Sequence, residues 1–255
     1  MTEYRVQVAD GVSLRAALDG SPDSPPLALV NGAFLNLRSW TPVIDALSAR
    51  FHVLRHDWRG TGASDKGPRA SYAFPQYADD LLALLDHFGM ERPLVCGMAY
   101  GARTAARFAL RHPERASLLA LYDVSLDQPV DQALQAKGNE EAFRLREQAG
   151  LVSPRMDPAW RAHADAREAL RTMTAHRDQP DPTPELARLT QPTLVACGRQ
   201  DVNLGEAQRI ASILPNAELR IMEMTGHGSV LSRPDLVVEL LVTFAERHGY
   251  LASPH

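Results

Sequence analysis

The chain reads as an α/β domain: a mostly parallel eight-stranded sheet flanked by helices, with a helical cap inserted past its middle. Three observations predict it. Short apolar runs suited to buried strands alternate with helical patterns along most of the chain. The glycine-flanked turn Gly97-Met98-Ala99-Tyr100-Gly101 joins an apolar strand to a helix of small residues. One segment, 127–190, holds no strand pattern and interrupts the alternation.

Taken in order, runs 4–9 and 12–18 alternate apolar and polar residues and meet at Asp10-Gly11, a hairpin signal. The first edge of the sheet is therefore antiparallel. Residues 26–30 form a short apolar strand. Over 37–49, Trp40, Val43, Ile44 and Leu47 share one helical face. A strand over 51–55 runs toward Asp57, and a helix with a strong apolar face over 77–88 stops at Gly89. Strand 93–96, helix 102–109 and strand 116–122 follow. Segments 193–197, 204–214, 218–222 and 234–248 then alternate strand, helix, strand, helix. Such alternation predicts a parallel sheet covered on both faces. The core spans 1–126 and 191–255. The cap, 127–190, carries two charged helical patterns (130–149 and 157–176) and the proline-rich exit Pro180-Asp181-Pro182-Thr183-Pro184. It is expected over the carboxyl ends of the strands, where open α/β sheets bind ligands.

Composition narrows the function classes. At 255 residues and 45% hydrophobic content, the chain can bury a large core. A net charge of −4 argues against a bulk nucleic-acid or acidic-membrane binder. No apolar run approaches the ~20 residues that span a bilayer, and the N-terminus lacks a secretion pattern. Cys96 and Cys197 both lie in apolar strand runs, as buried thiols of a reducing compartment do. The expectation is a cytoplasmic protein that meets a small-molecule substrate, with neither nucleic acid nor membrane as partner.

Four segments carry the chemistry. The first is the 97–101 turn, a nucleophile elbow with alanine at the position that displays the nucleophile. The second is Cys197-Gly198-Arg199-Gln200-Asp201, a strand and turn ending in a carboxylate. The third is Thr225-Gly226-His227-Gly228, a glycine-flanked histidine after the last strand. The fourth is Asn31-Gly32-Ala33-Phe34, where a backbone N–H can face the site. Each follows a strand, and together they run in the order nucleophile, acid, histidine.

On these residues the chain resembles the α/β-hydrolase superfamily over nearly its whole length. Asp57-Trp58-Arg59-Gly60-Thr61-Gly62-Ala63-Ser64 looks like the family's Asp-x-Arg-Gly-x-Gly-x-Ser loop, and His112-Pro113-Glu114-Arg115 like its turn before the sixth strand. Asn31-Gly32 with segments 51–64 and 79–88 is most similar to 3-oxoadipate enol-lactonases and small esterases. Related segments recur in haloperoxidase-like and carbon–carbon-bond hydrolases. The resemblance implies hydrolysis of a small ester or lactone without a cofactor. It places Ala99 at the nucleophile position, Asp201 as acid, His227 as base, and the N–H groups of Tyr100 and Ala33 as oxyanion hole.

Other residues were candidates for lesser roles. Asp123 follows the sixth strand and is the alternative acid. Asp57 and Arg59 are expected to structure their loop. Cys96 sits inside the strand, unsuited to replace the nucleophile. Ser229 can lie near His227, or simply turn the chain. Phe34 and Trp160 are candidates for lining the substrate pocket, with Trp160 and Phe143 also expected to pack the cap. Arg144, Arg146, Arg161, Arg167 and Arg171 form a solvated helix face or hold a substrate carboxylate. No metal-ligand spacing is present, and Gly60-Thr61-Gly62 lacks the full phosphate-binding fingerprint.

Ala99 leaves three explanations open. It replaces a serine in a hydrolase whose other parts are intact. Alternatively, His227 and Asp201 act as a dyad alone, as in cofactor-free dioxygenases, lyases or cyclases of this fold, which Trp58 also resembles. Or the chain is a ligand-binding protein that kept the pocket without catalysis.

Overall fold

The computed structural model describes residues 2–126, 131–152, 154–163 and 182–252. Its strands are β1 (Thr2–Gln7), β2 (Ser13–Asp19), β3 (Pro26–Val30), β4 (His52–His56), β5 (Leu94–Met98), β6 (Leu118–Tyr122), β7 (Thr193–Gly198) and β8 (Ala217–Met222). They form one eight-stranded sheet in the order β1-β2-β4-β3-β5-β6-β7-β8. All pairs from β4 through β8 are parallel; β1–β2 and β2–β4 are antiparallel. The Asp10-Gly11 turn tightens into a 3-10 turn with Asp10 at φ 62°.

The helices are α1 (Thr41–Ser48), α2 (Phe74–His87), α3 (Tyr100–Arg111), α4 (Gln132–Gln148), α5 (Leu204–Ile213), α6 (Ser229–Ser232) and α7 (Pro234–Arg247). Strand alternation sorts the core into two layers. Ala28 and Val30 of β3 pack with Leu81 and Leu84 of α2, Ala105 and Phe108 of α3 and Ile210 of α5. Leu27 and Leu29 pack on the opposite face with Trp40, Val43 and Leu47, and with Leu241 and Phe244 of α7. The parallel connections bring Asn31, Ala99, Asp123, Asp201 and His227 to one edge, just past the carboxyl ends of β3, β5, β6, β7 and β8. Among the described residues, no helix is long and apolar enough to cross a membrane.

Two local differences from the sequence reading have physical causes. The helix expected over 37–49 begins as a 3-10 turn, Leu37–Trp40, because the Asn36 side chain caps the Arg38 N–H. The helix expected to start at 157 is instead a single 3-10 turn, Pro158–Trp160, followed by extended backbone at Arg161. Asp157-Pro158 is a helix-start signal, but the carbonyls after it are taken by core loops, as described below. The rest of that expected helix, with Arg167 and Arg171, lies outside the described residues.

His56, at the end of β4, is 1% exposed and its Nδ1 is buried without a partner. Burial lowers its pKa to about 4. The unfolded chain therefore takes up a proton that the folded chain resists, and stability is lost as pH falls from the ordinary 6.5 toward 4. That shift is worth about 3 kcal/mol. His56→Leu is expected to flatten the pH dependence of urea unfolding in this window. An unchanged slope would assign the acid sensitivity to other groups.

Candidate active site

The elbow is formed by backbone contacts that tolerate no side chain at either glycine. A Cβ on Gly97 would lie 2.2 Å from the Gly101 carbonyl oxygen, and one on Gly101 would lie 2.0 Å from that of Val30. Between them Ala99 adopts φ 53°, ψ −112°, a sparsely populated conformation that costs an L-residue about 1–3 kcal/mol. Its N–H donates to the Tyr122 carbonyl at 2.8 Å, and its own carbonyl accepts from Ala102 and Arg103 to start α3. The next N–H, of Tyr100, is the first of α3 and has no helical acceptor.

The loop after β3 runs against this turn. The Cβ direction of Gly32 meets the Met98 carbonyl oxygen and side chain at 3.4 Å. Asn31 anchors the loop from below: its Nδ2 donates to the His56 carbonyl at 2.8 Å, and its Oδ1 accepts from Trp40 Nε1 at 2.9 Å. Ala33 follows, half-buried beside the elbow. Phe34 has φ 61° and is 43% exposed, so its ring is largely solvated.

The acid and histidine turns are sewn together. Gln200 N donates to the Thr225 carbonyl, and Thr225 N donates to Gln200 Oε1 at 3.0 Å. Gly198 permits this approach, since a Cβ there would meet the Thr225 carbonyl at 2.1 Å. Asp201 lies 3.1 Å through Oδ2 and 3.2 Å through Oδ1 from His227 Nδ1. Its Oδ1 also accepts from Asn203 N at 2.9 Å. The carboxylate side chain is fully buried and the imidazole 15% exposed. With Nδ1–H directed at Asp201, Nε2 is the basic nitrogen. Burial disfavours the imidazolium, but the Asp201 hydrogen bond and charge, joined by the charge of Asp123, outweigh it and raise the His227 pKa above its ordinary value.

Asp123 does not take the acid position. Its Oδ2 accepts from Gly228 N at 3.1 Å and from Ser229 N at 2.7 Å. Ser229 thus opens α6, and its buried hydroxyl lies by the Asp123 carboxylate. Asp57 Oδ1 accepts from Leu37 N and its Oδ2 from Ala63 N. Arg59 is paired with Asp80 beneath the same loop. Both therefore structure the loop. Cys96 and Cys197 are buried free thiols, and burial pushes both well above the usual thiol range. Sequence spacing offered no metal-ligand set, yet folding brings ligand atoms of Asp123, Cys197 and Asp201 within 4.8 Å of one another. Strand ends far apart in sequence make that cluster, so no spacing could reveal it.

Segments 131–152 and 154–163 meet the loops of the site through polar contacts. Asn36 N donates to the Trp160 carbonyl, and its Nδ2 donates to those of Ala159 and Arg161 at 2.8 Å each. Ala162 N donates to the Phe34 carbonyl, and Gly62 N to that of Ala162. Trp160 is 8% exposed, buried in the segment that these contacts hold. On α4, a Cβ on Gly138 would meet the Gln200 carbonyl at 2.0 Å, and Arg146 Nη1 donates to the Met224 carbonyl at 2.6 Å. Arg146 is thus buried against the histidine loop rather than on a solvated face. Arg144 does lie exposed, paired with Glu141, and Phe143, expected to pack, is 50% exposed. Asn36→Ala removes two part-buried hydrogen bonds to the 159–161 backbone and the cap on the Arg38 N–H. It is expected to cost about 2–3 kcal/mol and to speed amide exchange at 160–162, measured by mass spectrometry.

Residues 27–240 match the model of the alpha/beta hydrolase family. The chain is 27% identical over 248 residues to 3-oxoadipate enol-lactonase 2 of Acinetobacter baylyi, covering 89% of this chain and 90% of that one. It is 30% identical over 238 residues to a protein of Pseudomonas syringae pv. syringae that carries the name carbamate hydrolase RutD, covering 83% and 90%. The enol-lactonase from Burkholderia xenovorans LB400 shares its structure with a TM-score of 0.75 at 26% identity, covering 95% and 99%. With the parallel sheet, the glycine-built elbow and the acid–histidine order all accounted for, the chain belongs to the alpha/beta hydrolase family.

Proposed function

We propose that the site is built to cleave a small ester or lactone through an acyl-enzyme, and that this chain carries it without the nucleophile, at Ala99. The backbone of Ala99 carries the reading. Its φ of 53° is costly for alanine, and together with Gly97 and Gly101 it fits a turn that displays a side chain past the end of β5. His227 would take the nucleophile's proton at Nε2 and return it to the leaving group, while Asp201 holds the tautomer and stabilises the imidazolium. The N–H groups of Tyr100 and Ala33 would receive the oxyanion. Phe34 and Trp160 would line the substrate pocket. The names of the enol-lactonase and carbamate hydrolase relatives, both of which denote attack at a carbonyl, support the same class. No cofactor enters this chemistry. The buried free cysteines support a cytoplasmic location.

A second reading is favoured by the completeness of the His227–Asp201 pair without any nucleophile: the dyad itself abstracts a substrate proton. Activity of the parent chain separates the two. Under the first reading the parent binds p-nitrophenyl acetate or a small lactone but does not turn it over, and a fluorophosphonate labels residue 99 only after Ala99→Ser. Parent turnover that His227→Ala abolishes would establish the dyad reading instead.

A further inference from the structure

Asp123 is the largest piece of buried chemistry outside the proposed dyad. It is fully buried and sits at φ 53°, a left-handed conformation that lets its side chain turn up into the site. Its N–H donates to the Ala196 carbonyl and its carbonyl accepts from Asn203 Nδ2 at 3.1 Å. It therefore touches β7, the acid turn and the histidine loop together. Oδ2 accepts the N–H groups of Gly228 and Ser229, the two residues after His227. Gly228 is left-handed, at φ 84°, so the two N–H groups converge on one oxygen. Among the described residues Oδ1 is buried with no hydrogen-bond partner of good geometry, although the Ser229 hydroxyl also faces the carboxylate and favours its charged form.

Among the described residues the titratable neighbours are few. Cys197 comes from β7, Asp201 from the turn after it, and His227 from the loop after β8. Tyr122, from β6, directs its hydroxyl away, to the Val237 carbonyl at 3.0 Å. Asp123 and Asp201 place carboxylate oxygens within 4.8 Å of each other. Two carboxylates in one dry site with a single imidazole cannot both ionise cheaply while that imidazole is neutral.

We propose that Asp123 is a positioning residue with two duties: Oδ2 locks the turn that carries His227, and Oδ1 is the seat of a proton held jointly with His227. This rests on the reading of His227 as the base. Two arrangements hold the same number of protons: neutral imidazole with a protonated Asp123, or imidazolium with an Asp123 carboxylate. When His227 gains a proton, Asp123 can release one, so the second carboxylate appears only when a cation is there to meet it. Burial and the Asp201 charge push the Asp123 pKa up to about 7, against the opposing pull of His227 and of the Ser229 N–H and hydroxyl, which agrees with this geometry. The consequence is a buried dyad that forms imidazolium more readily than Asp201 alone would allow.

The test follows carboxyl and imidazole NMR signals of the whole chain from pH 4 to 9, which needs no turnover. In the parent, the Asp123 carboxyl is expected to titrate near neutrality and His227 in two steps. Asp123→Asn keeps an acceptor for both N–H groups. It should leave the Gly228 and Ser229 amide signals in place, reduce His227 to one step and move its midpoint down. Asp123→Ala should in addition raise amide exchange at Gly228 and Ser229. An Asp123 signal in the ordinary carboxylate range near 4, with one-step His227 titration, overturns the shared proton even if no variant folds. Equal exchange in the Asn and Ala variants overturns the lock. Failure of the Ala99→Ser variant to turn over esters, with the NMR result intact, would count against the hydrolase reading alone.

Discussion

Ala99→Ser is expected to raise kcat/KM for p-nitrophenyl acetate by at least about 10³-fold over the parent, or about 4 kcal/mol of barrier. The ceiling is set by triads in which removing the nucleophile costs on the order of 10⁶ in kcat. A hydroxyl added to Ala99 inherits its backbone conformation, so the elbow need not rearrange. His227 is already oriented by Asp201 at 3.1 Å. The Tyr100 N–H and the Ala33 loop are held by Gly101 and Asn31 rather than by the missing side chain. The reaction needs neutral imidazole, and the His227 pKa is raised. Activity should therefore fall as pH is lowered through a midpoint above the ordinary histidine value of 6.5. His227→Ala in the same background should remove the gain. A variant that folds and takes up no fluorophosphonate would sink the acyl-enzyme reading.

The elements that made the site legible are those whose function forces a residue type. Gly97 and Gly101 are read from sequence because carbonyls stand where their side chains would be. The Asp201–His227 pair is read because strand, turn and residue order coincide. Asp123, by contrast, meets Gly228 and Ser229 across more than a hundred residues, and nothing local marks an aspartate as the acceptor of a distant turn. Helix α4 lies where its pattern predicts, but which of its faces is buried is not legible, for a related reason. Apolar periodicity finds the buried face of a helix that packs on a hydrophobic layer. Helix α4 instead rests on the exposed carbonyls of Gln200 and Met224, so Gly138 and Arg146 face inward and Phe143 outward. Likewise, Asp157-Pro158 carries a helix-start signal, but the following backbone pairs with Phe34, Asn36 and Gly62. Local propensity loses there to hydrogen bonds that only the folded chain supplies.

Asp80→Ala is expected to destabilise the chain more than any change at the surface. Arg59 and Asp80 form a bidentate pair at 2.6 and 2.7 Å with side chains 0% and 3% exposed. Removing the carboxylate leaves a guanidinium with no route to water, which typically costs about 3–5 kcal/mol. Asp10, 3.3 Å from Arg59 but 47% exposed, offsets part of this and points to the lower half of that range. For a chain of this size each kcal/mol moves Tm by roughly 2–4 °C, so a fall on the order of 10 °C should appear by calorimetry. The effect should reach the site. Arg59 belongs to the loop in which Asp57 fixes Leu37 and Ala63, and Gly62 of that loop donates its N–H to the Ala162 carbonyl. In the Ala99→Ser background, Asp80→Ala should thus lower esterase activity well below its own melting transition. Replacing both partners, Arg59→Met with Asp80→Leu, removes the stranded charge and should recover most of the lost Tm. Because those apolar groups cannot reproduce the directional bonds beneath the loop, activity should recover less than stability. If the double variant melts as low as Asp80→Ala, the cost lies in packing rather than in the unpaired charge.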